Sequence, residues 1–129
     1  MPLARNHMSR NLLTVEPGVR LTEVAQRMVD RDVGAVLVCD GGRLVGILTE
    51  RDVLRAVAGG LDESSVVADW MTRDPDTLDP DETTRQAATL MIHGGFRHLP
   101  ITDGSDVVGM LSIRDLMRIV LDDSAPRGA

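Results

Sequence analysis

The chain of 129 residues holds one cysteine, Cys39, one tryptophan, one phenylalanine and no tyrosine. A single cysteine excludes an internal disulfide framework. The shortage of aromatics leaves Val, Leu, Ile and seven Met to fill the interior. Basic residues are also in deficit: 14 Lys plus Arg against 20 Asp plus Glu give a formal net charge of −6. Such a chain lacks the basic footprint of a nucleic-acid binder and is a poor match for an anionic membrane surface. No apolar run approaches the length of a membrane span. The N-terminal stretch "MPLARNHMSRNLL" lacks the apolar core of a secretory signal. The expectation is a soluble protein in a reducing, cytoplasmic setting, with neither nucleic acid nor membrane as partner.

What is present is a repeat. Shifting the chain by 63 residues aligns 8–57 with 71–120 without a gap, and 15 of those 50 pairs are identical. They include Met8/Met71, Thr14/Thr77, Pro17/Pro80, Met28/Met91, Gly46/Gly109, Arg51/Arg114, Asp52/Asp115 and Arg55/Arg118. The chain is a tandem duplication, and its parts follow from one unit.

Each unit reads as β-α-β-β-α, a fold of the α+β class. A short extended piece ends at Pro17 or Pro80. A helix follows, with Leu21, Val24, Ala25, Met28 and Val29 at helical spacing, matched by Thr84, Ala87, Ala88, Met91 and Ile92. "VGAVLVCD" and "RHLPITD" read as strands, "DGG" and "DGS" as hairpin turns, "RLVGIL" and "DVVGML" as return strands. A second helix is expected to turn Val53, Leu54 and Val57 inward, matched by Leu116, Met117 and Val120. The expected boundaries are repeat one at 8–58, a connector at 59–70 carrying a short helix near "VVADW", repeat two at 71–121 and a flexible tail at 122–129. One unit is too small to bury both faces of its sheet, so two packed about a pseudo-twofold would share a core.

The repeated phrase is Gly46-x-x-Thr49-x-x-Asp52 and Gly109-x-x-Ser112-x-x-Asp115. A hydroxyl residue followed three places later by an acid is a capping box at a helix start. The same residues put a hydroxyl, free N–H groups and a carboxylate at a helix N-terminus, which suits phosphate and a ribose diol. A Gly inside each return strand marks close approach of a ligand or of other backbone. Capping and ligand binding can use the same atoms.

These features together resemble a pair of CBS domains, the Bateman module, and the resemblance covers about residues 8–121. It implies a stand-alone regulatory module, not an enzyme, that takes an adenosine-containing ligand: AMP, ADP, ATP, NAD or S-adenosylmethionine. It places the ligands in clefts between the two repeats. It assigns Asp52 and Asp115 to ribose hydroxyls, and Thr49 and Ser112 to ribose or phosphate. It assigns backbone near Thr14–Val15, Thr77–Leu78, Gly34–Ala35–Val36 and His98–Leu99–Pro100 to the base. Arg97 and His98 stand where the family often contacts phosphates; repeat one has Gly34 and Ala35 there and no charge. The resemblance also implies a homodimer and an effector protein that reads the ligand-bound form. No cofactor is required beyond the nucleotide as regulatory ligand.

Arg51 and Arg114 admit a phosphate contact or a surface ion pair. His7, His93, His98 and Cys39 lack ligand spacing on one element, so no metal site is expected. The alternative to a sensor is an interaction module without a nucleotide, in which Thr49, Ser112, Asp52 and Asp115 only cap helices.

Overall fold

The computed structural model describes residues 2–124. The chain divides into two compact units, one of Asn11–Pro75 and one that joins residues 2–10 to the described residues from Asp76 onward. Both are α+β units built on the β-α-β-β-α order.

In the unit Asn11–Pro75 the order is β1 (Thr14–Val15), α1 (Leu21–Arg31), β2 (Ala35–Asp40), β3 (Arg43–Thr49), α2 (Glu50–Ala58) and β4 (Thr72–Arg73). The sheet order is β1-β2-β3-β4; β1 runs parallel to β2 and the other pairs are antiparallel. The β2–β3 hairpin turns on Gly41 and Gly42, both at positive φ, which costs glycine no Cβ clash. α1 has no side-chain cap at Arg20; Leu21 N–H donates to the Ser65 carbonyl at 2.9 Å instead. The core is aliphatic: Leu13, Val15, Leu21, Val24, Met28, Val36, Val38, Leu48, Ala56 and Val67. Each fully buried Leu or Val contributes about 1.5–3 kcal/mol over an exposed one.

The other unit follows with α3 (Thr84–Gly94), β5 (His98–Asp103), β6 (Asp106–Ser112) and α4 (Ile113–Ser124). Among the described residues of this unit only β5 and β6 form a continuous ladder; Leu78 and Ser9 join them through single bridges to Ile101 and Met110. One chemical difference accounts for the weaker first strand. Leu37 N–H donates to the Leu13 carbonyl at 2.9 Å, and its repeat counterpart is Pro100, which has no N–H to give.

The repeat boundaries carry an exchange. Residues 59–70, expected as a connector, end in a 3₁₀ turn at Val67–Asp69 whose Val67 is fully buried in the core of the unit Asn11–Pro75. Val67 N–H donates to the Val19 carbonyl and Ala68 N–H to the Pro17 carbonyl, both at 3.0 Å. The counterpart 63 residues earlier, the 3₁₀ turn Ala4–Asn6, does the same for the other unit. Ala4 is fully buried there, Ala4 N–H donates to the Glu82 carbonyl at 2.8 Å and Arg5 N–H to the Pro80 carbonyl at 3.0 Å. Each copy of the lead-in segment thus completes the unit built from the other repeat.

The expected inward helix faces are corrected in part. Leu21, Val24 and Met28 are buried on α1, and Ala87 and Met91 on α3, but Val29 and Ile92 are about three-quarters exposed. On α2 the buried positions are Asp52 and Ala56; Val53 is half-buried, while Leu54 and Val57 face outward. On α4 Leu116 is buried, and Met117 and Val120 face outward. These helices are apolar over more than the stripe one core needs, so periodicity alone assigned the surplus to the interior. The expected tail is also shortened: residues 122–124 continue α4, and 125–129 lie outside the described residues.

Candidate functional site

In each unit the return strand runs directly into a helix, and the hydroxyl residue stands at the junction. Thr49 closes β3 and caps α2; its N–H donates to Asp52 Oδ2 at 2.9 Å, its Oγ1 donates to the same oxygen at 3.1 Å, and Asp52 N–H donates back to Oγ1 at 3.4 Å. Ser112 and Asp115 repeat this at 2.8, 3.0 and 3.2 Å. The capping box is therefore fully formed at both places.

A third box serves as an internal comparison. Thr83 and Gln86 cap α3 with the same three bonds at 2.8, 3.1 and 3.2 Å, yet Gln86 is exposed. Asp52 is only 6% exposed and is the one acidic or basic residue buried among the described residues. A cap needs no such burial, and a buried carboxylate is costly unless hydrogen bonds hold it. Here Oδ2 takes two of those bonds, whereas among the described residues Oδ1 meets only the Arg55 guanidinium, at 3.4 Å. At Asp115 the equivalent contact, from Arg118, is 3.9 Å. Each carboxylate thus keeps one oxygen with spare acceptor capacity.

Around this junction the sheet gathers the expected residues unit by unit. Ala35 pairs with Thr49 and Val36 with Leu48, and Glu50 N–H donates to the Gly34 carbonyl at 3.0 Å. Gly34–Val36 and Thr49–Asp52 therefore share one end of the β2–β3 ladder. Thr14 and Val15 lie further along β2, opposite Leu37 and Val38. Likewise His98 pairs with Ser112, Leu99 with Leu111 and Pro100 with Met110, and Ile113 N–H donates to the Arg97 carbonyl at 2.9 Å. The buried Leu78 bridges to Ile101, and the exposed Thr77 precedes it. Arg51, Arg97 and Arg114 are exposed and make no ion pair among the described residues.

The strand glycines have a specific neighbour. What approaches Gly46 is the thioether of Met71 and the Thr72 carbonyl, and what approaches Gly109 is Met8, so the lead-in segment occupies the space a Cβ would need. Of the two expected approaches, a ligand or other backbone, the chain itself supplies the contact here, through Met71 and the Thr72 carbonyl at Gly46 and through the Met8 side chain at Gly109. Arg55 and Arg118 also belong to this junction, and their one sequence signal is that they are identical across the repeat, three residues after each Asp.

Among the described residues no helix is long and apolar enough to cross a membrane, and no group of three or more His, Cys, Asp or Glu could hold a metal ion.

Comparison with known proteins bears on this geometry. The model of the CBS domain family matches residues 4–59 and again 67–122. The chain is 33% identical over 117 residues to the CBS domain-containing protein YhcV of Bacillus subtilis, covering 90% of this chain and 84% of that protein. It is 32% identical to MJ1225 of Methanocaldococcus jannaschii, covering 94% of this chain but only 44% of that relative. Its fold matches the CBS domain protein PAE2072 of Pyrobaculum aerophilum, solved in complex with AMP, with a TM-score of 0.84 and 27% identity over 95% of this chain and 99% of that one. It also matches the CBS domain pair of MJ0100, solved with 5′-methylthioadenosine and S-adenosyl-L-methionine, with a TM-score of 0.84 and 25% identity over 92% and 98%.

Proposed function

This chain belongs to the CBS domain family, and on that premise we propose that it is a non-enzymatic sensor that binds an adenosine-containing ligand through Asp52 and Asp115. The observation that carries the reading is the buried Asp52 carboxylate, fixed through Oδ2 and left with acceptor capacity on Oδ1. A ribose hydroxyl is a donor that such an oxygen can take. Thr49 stands beside Asp52 and Ser112 beside Asp115, and within each unit the strand end, Gly34–Val36 in one and His98–Pro100 in the other, offers backbone groups for a base. The AMP and S-adenosylmethionine complexes of PAE2072 and MJ0100 support an adenosine ligand.

Response to the ligand follows linkage: binding shifts the protein only by its differential affinity for two arrangements. The outward Val29, Leu54 and Val57, and Ile92, Met117, Val120 and Leu121 on the other unit, are the apolar surfaces a second copy would cover. An effector protein would read the ligand-bound dimer. Localisation in the cytoplasm belongs to the same proposal.

The complete capping geometry favours one competing reading, in which Thr49, Asp52, Ser112 and Asp115 serve helix starts alone. Titration calorimetry with AMP, ATP, NAD and S-adenosylmethionine separates the two. Saturable heat with at least one of them supports the sensor; silence with all four supports the cap.

A further inference from the structure

The site carboxylates do not stand alone. Asp52 Oδ1 lies 3.4 Å from Arg55 Nη1, and Asp115 Oδ1 lies 3.9 Å from Arg118 Nη1. The pairing is the same at an exact repeat spacing, three residues along the helix in both units. The carboxylate sides are 8% and 16% exposed, whereas the arginine side chains are 64% and 68% exposed. Among the described residues only one nitrogen of each guanidinium is ion-paired, out of five N–H donors in a planar fork.

This arrangement answers an electrostatic problem. A ligand whose ribose sits on an aspartate brings its own phosphate toward that negative charge. The protein as a whole offers no relief, with a net charge of −6, and all 14 of its basic side chains are arginine. A guanidinium on the second oxygen offsets the carboxylate locally. The unspent donors sit on a largely exposed side chain, able to take a phosphate in the bidentate geometry that arginine favours.

We infer that Arg55 and Arg118 are specificity-determining residues that make each site prefer a phosphorylated adenosine ligand over neutral adenosine. The inference rests on the adenosine-binding reading above and adds a ligand class to it. It differs from a role for Arg51, Arg97 or Arg114, none of which touches a site carboxylate in an ion pair among the described residues. The bland alternative is a helix-surface pair of i,i+3 type, which would affect stability slightly and ligand choice not at all.

The test is calorimetry with AMP and with adenosine on the wild type, the R55Q/R118Q variant and the R55K/R118K variant. Far-UV circular dichroism and Trp70 emission verify that each is folded. The wild type is expected to bind AMP roughly tenfold or more tightly than adenosine, the worth of a charge-assisted contact. The Gln variant should lose that preference to within about twofold, and the Lys variant should recover much of it. Should the Gln variant bind AMP as well as the wild type does, or lose AMP and adenosine equally, the inference falls and the adenosine reading stands. The same holds if the wild type itself does not discriminate between the two ligands. Should the Gln variant fail to fold, the Lys variant decides alone: retained preference supports the inference, and preference lost with charge intact overturns it. If the wild type binds neither ligand, both readings fall together.

Discussion

The thioether of Met71 rests on the α-carbon of Gly46, so close that a Cβ built there would lie 2.5 Å from Sδ and 3.0 Å from the Thr72 carbonyl oxygen. Met8 occupies the same place over Gly109. Each glycine is thus a seat for the lead-in segment that completes its unit. Gly46→Ala is expected to cost about 1–3 kcal/mol by overpacking. Urea unfolding followed by Trp70 emission checks it, since Trp70 lies in the affected unit. Part of the loss should return in G46A/M71A, where the flexible side chain no longer competes.

The lead-in segment itself is open to test at Ala4, which is fully buried among Leu78, Ala87, Met91 and Leu99. Ala4→Leu should destabilise by about 1–3 kcal/mol because the pocket has no room for three more carbons. Arg5→Ala, which removes an exposed ion pair with Asp81, should cost under about 1 kcal/mol. Thermal unfolding by circular dichroism separates the two outcomes.

The three capping boxes provide a matched comparison. Thr49→Ala and Thr83→Ala each remove an N-cap hydroxyl and should each cost about 0.5–2 kcal/mol of stability. Thr49→Ala should also weaken the binding of an adenosine ligand severalfold, because Oγ1 fixes Asp52 Oδ2. Thr83→Ala should leave that affinity unchanged.

Burial pushes the Cys39 thiol above the ordinary thiol range. The thiolate is the reactive form, so at any given pH near 8 less of it is present than on a free thiol. Alkylation by iodoacetamide should therefore be slower in the folded protein than in urea. The rate should rise with pH to beyond the point where a small thiol levels off, as mass spectrometry can follow.

The repeat made most of the fold legible. An ungapped match at a spacing of 63 residues fixes the element order of both units at once, and the helix and hairpin positions follow from spacing and Gly-bearing turns. The cut points were not legible, for a physical reason. A self-match shows which residues correspond and is blind to where one unit ends, so it could not show that Ala4 belongs with Leu99 rather than with Val36. The outward setting of positions such as Leu54 and Ile92 is not legible, because an apolar periodicity states that a face avoids water without stating what covers it. At the site, Thr49–Asp52 and Ser112–Asp115 stood out as a repeated phrase with chemistry. Arg55 and Arg118 did not, because an arginine three residues after an acid is common on helix surfaces. Only its contact with Oδ1, made twice, distinguishes it.

The central claim is that Asp52 and Asp115 hold a ribose. Its most direct test is the titration of AMP into the wild type and into D52N/D115N. Asn has nearly the shape of Asp and leaves one carbonyl oxygen for the cap, but it carries no charge. The account expects saturable binding by the wild type and at least a roughly tenfold weaker affinity in the folded variant, the worth of a hydrogen bond to a charged group. It also expects 2′-deoxy-AMP to bind the wild type more weakly than AMP. An affinity unchanged in D52N/D115N, together with equal binding of AMP and 2′-deoxy-AMP, would contradict it.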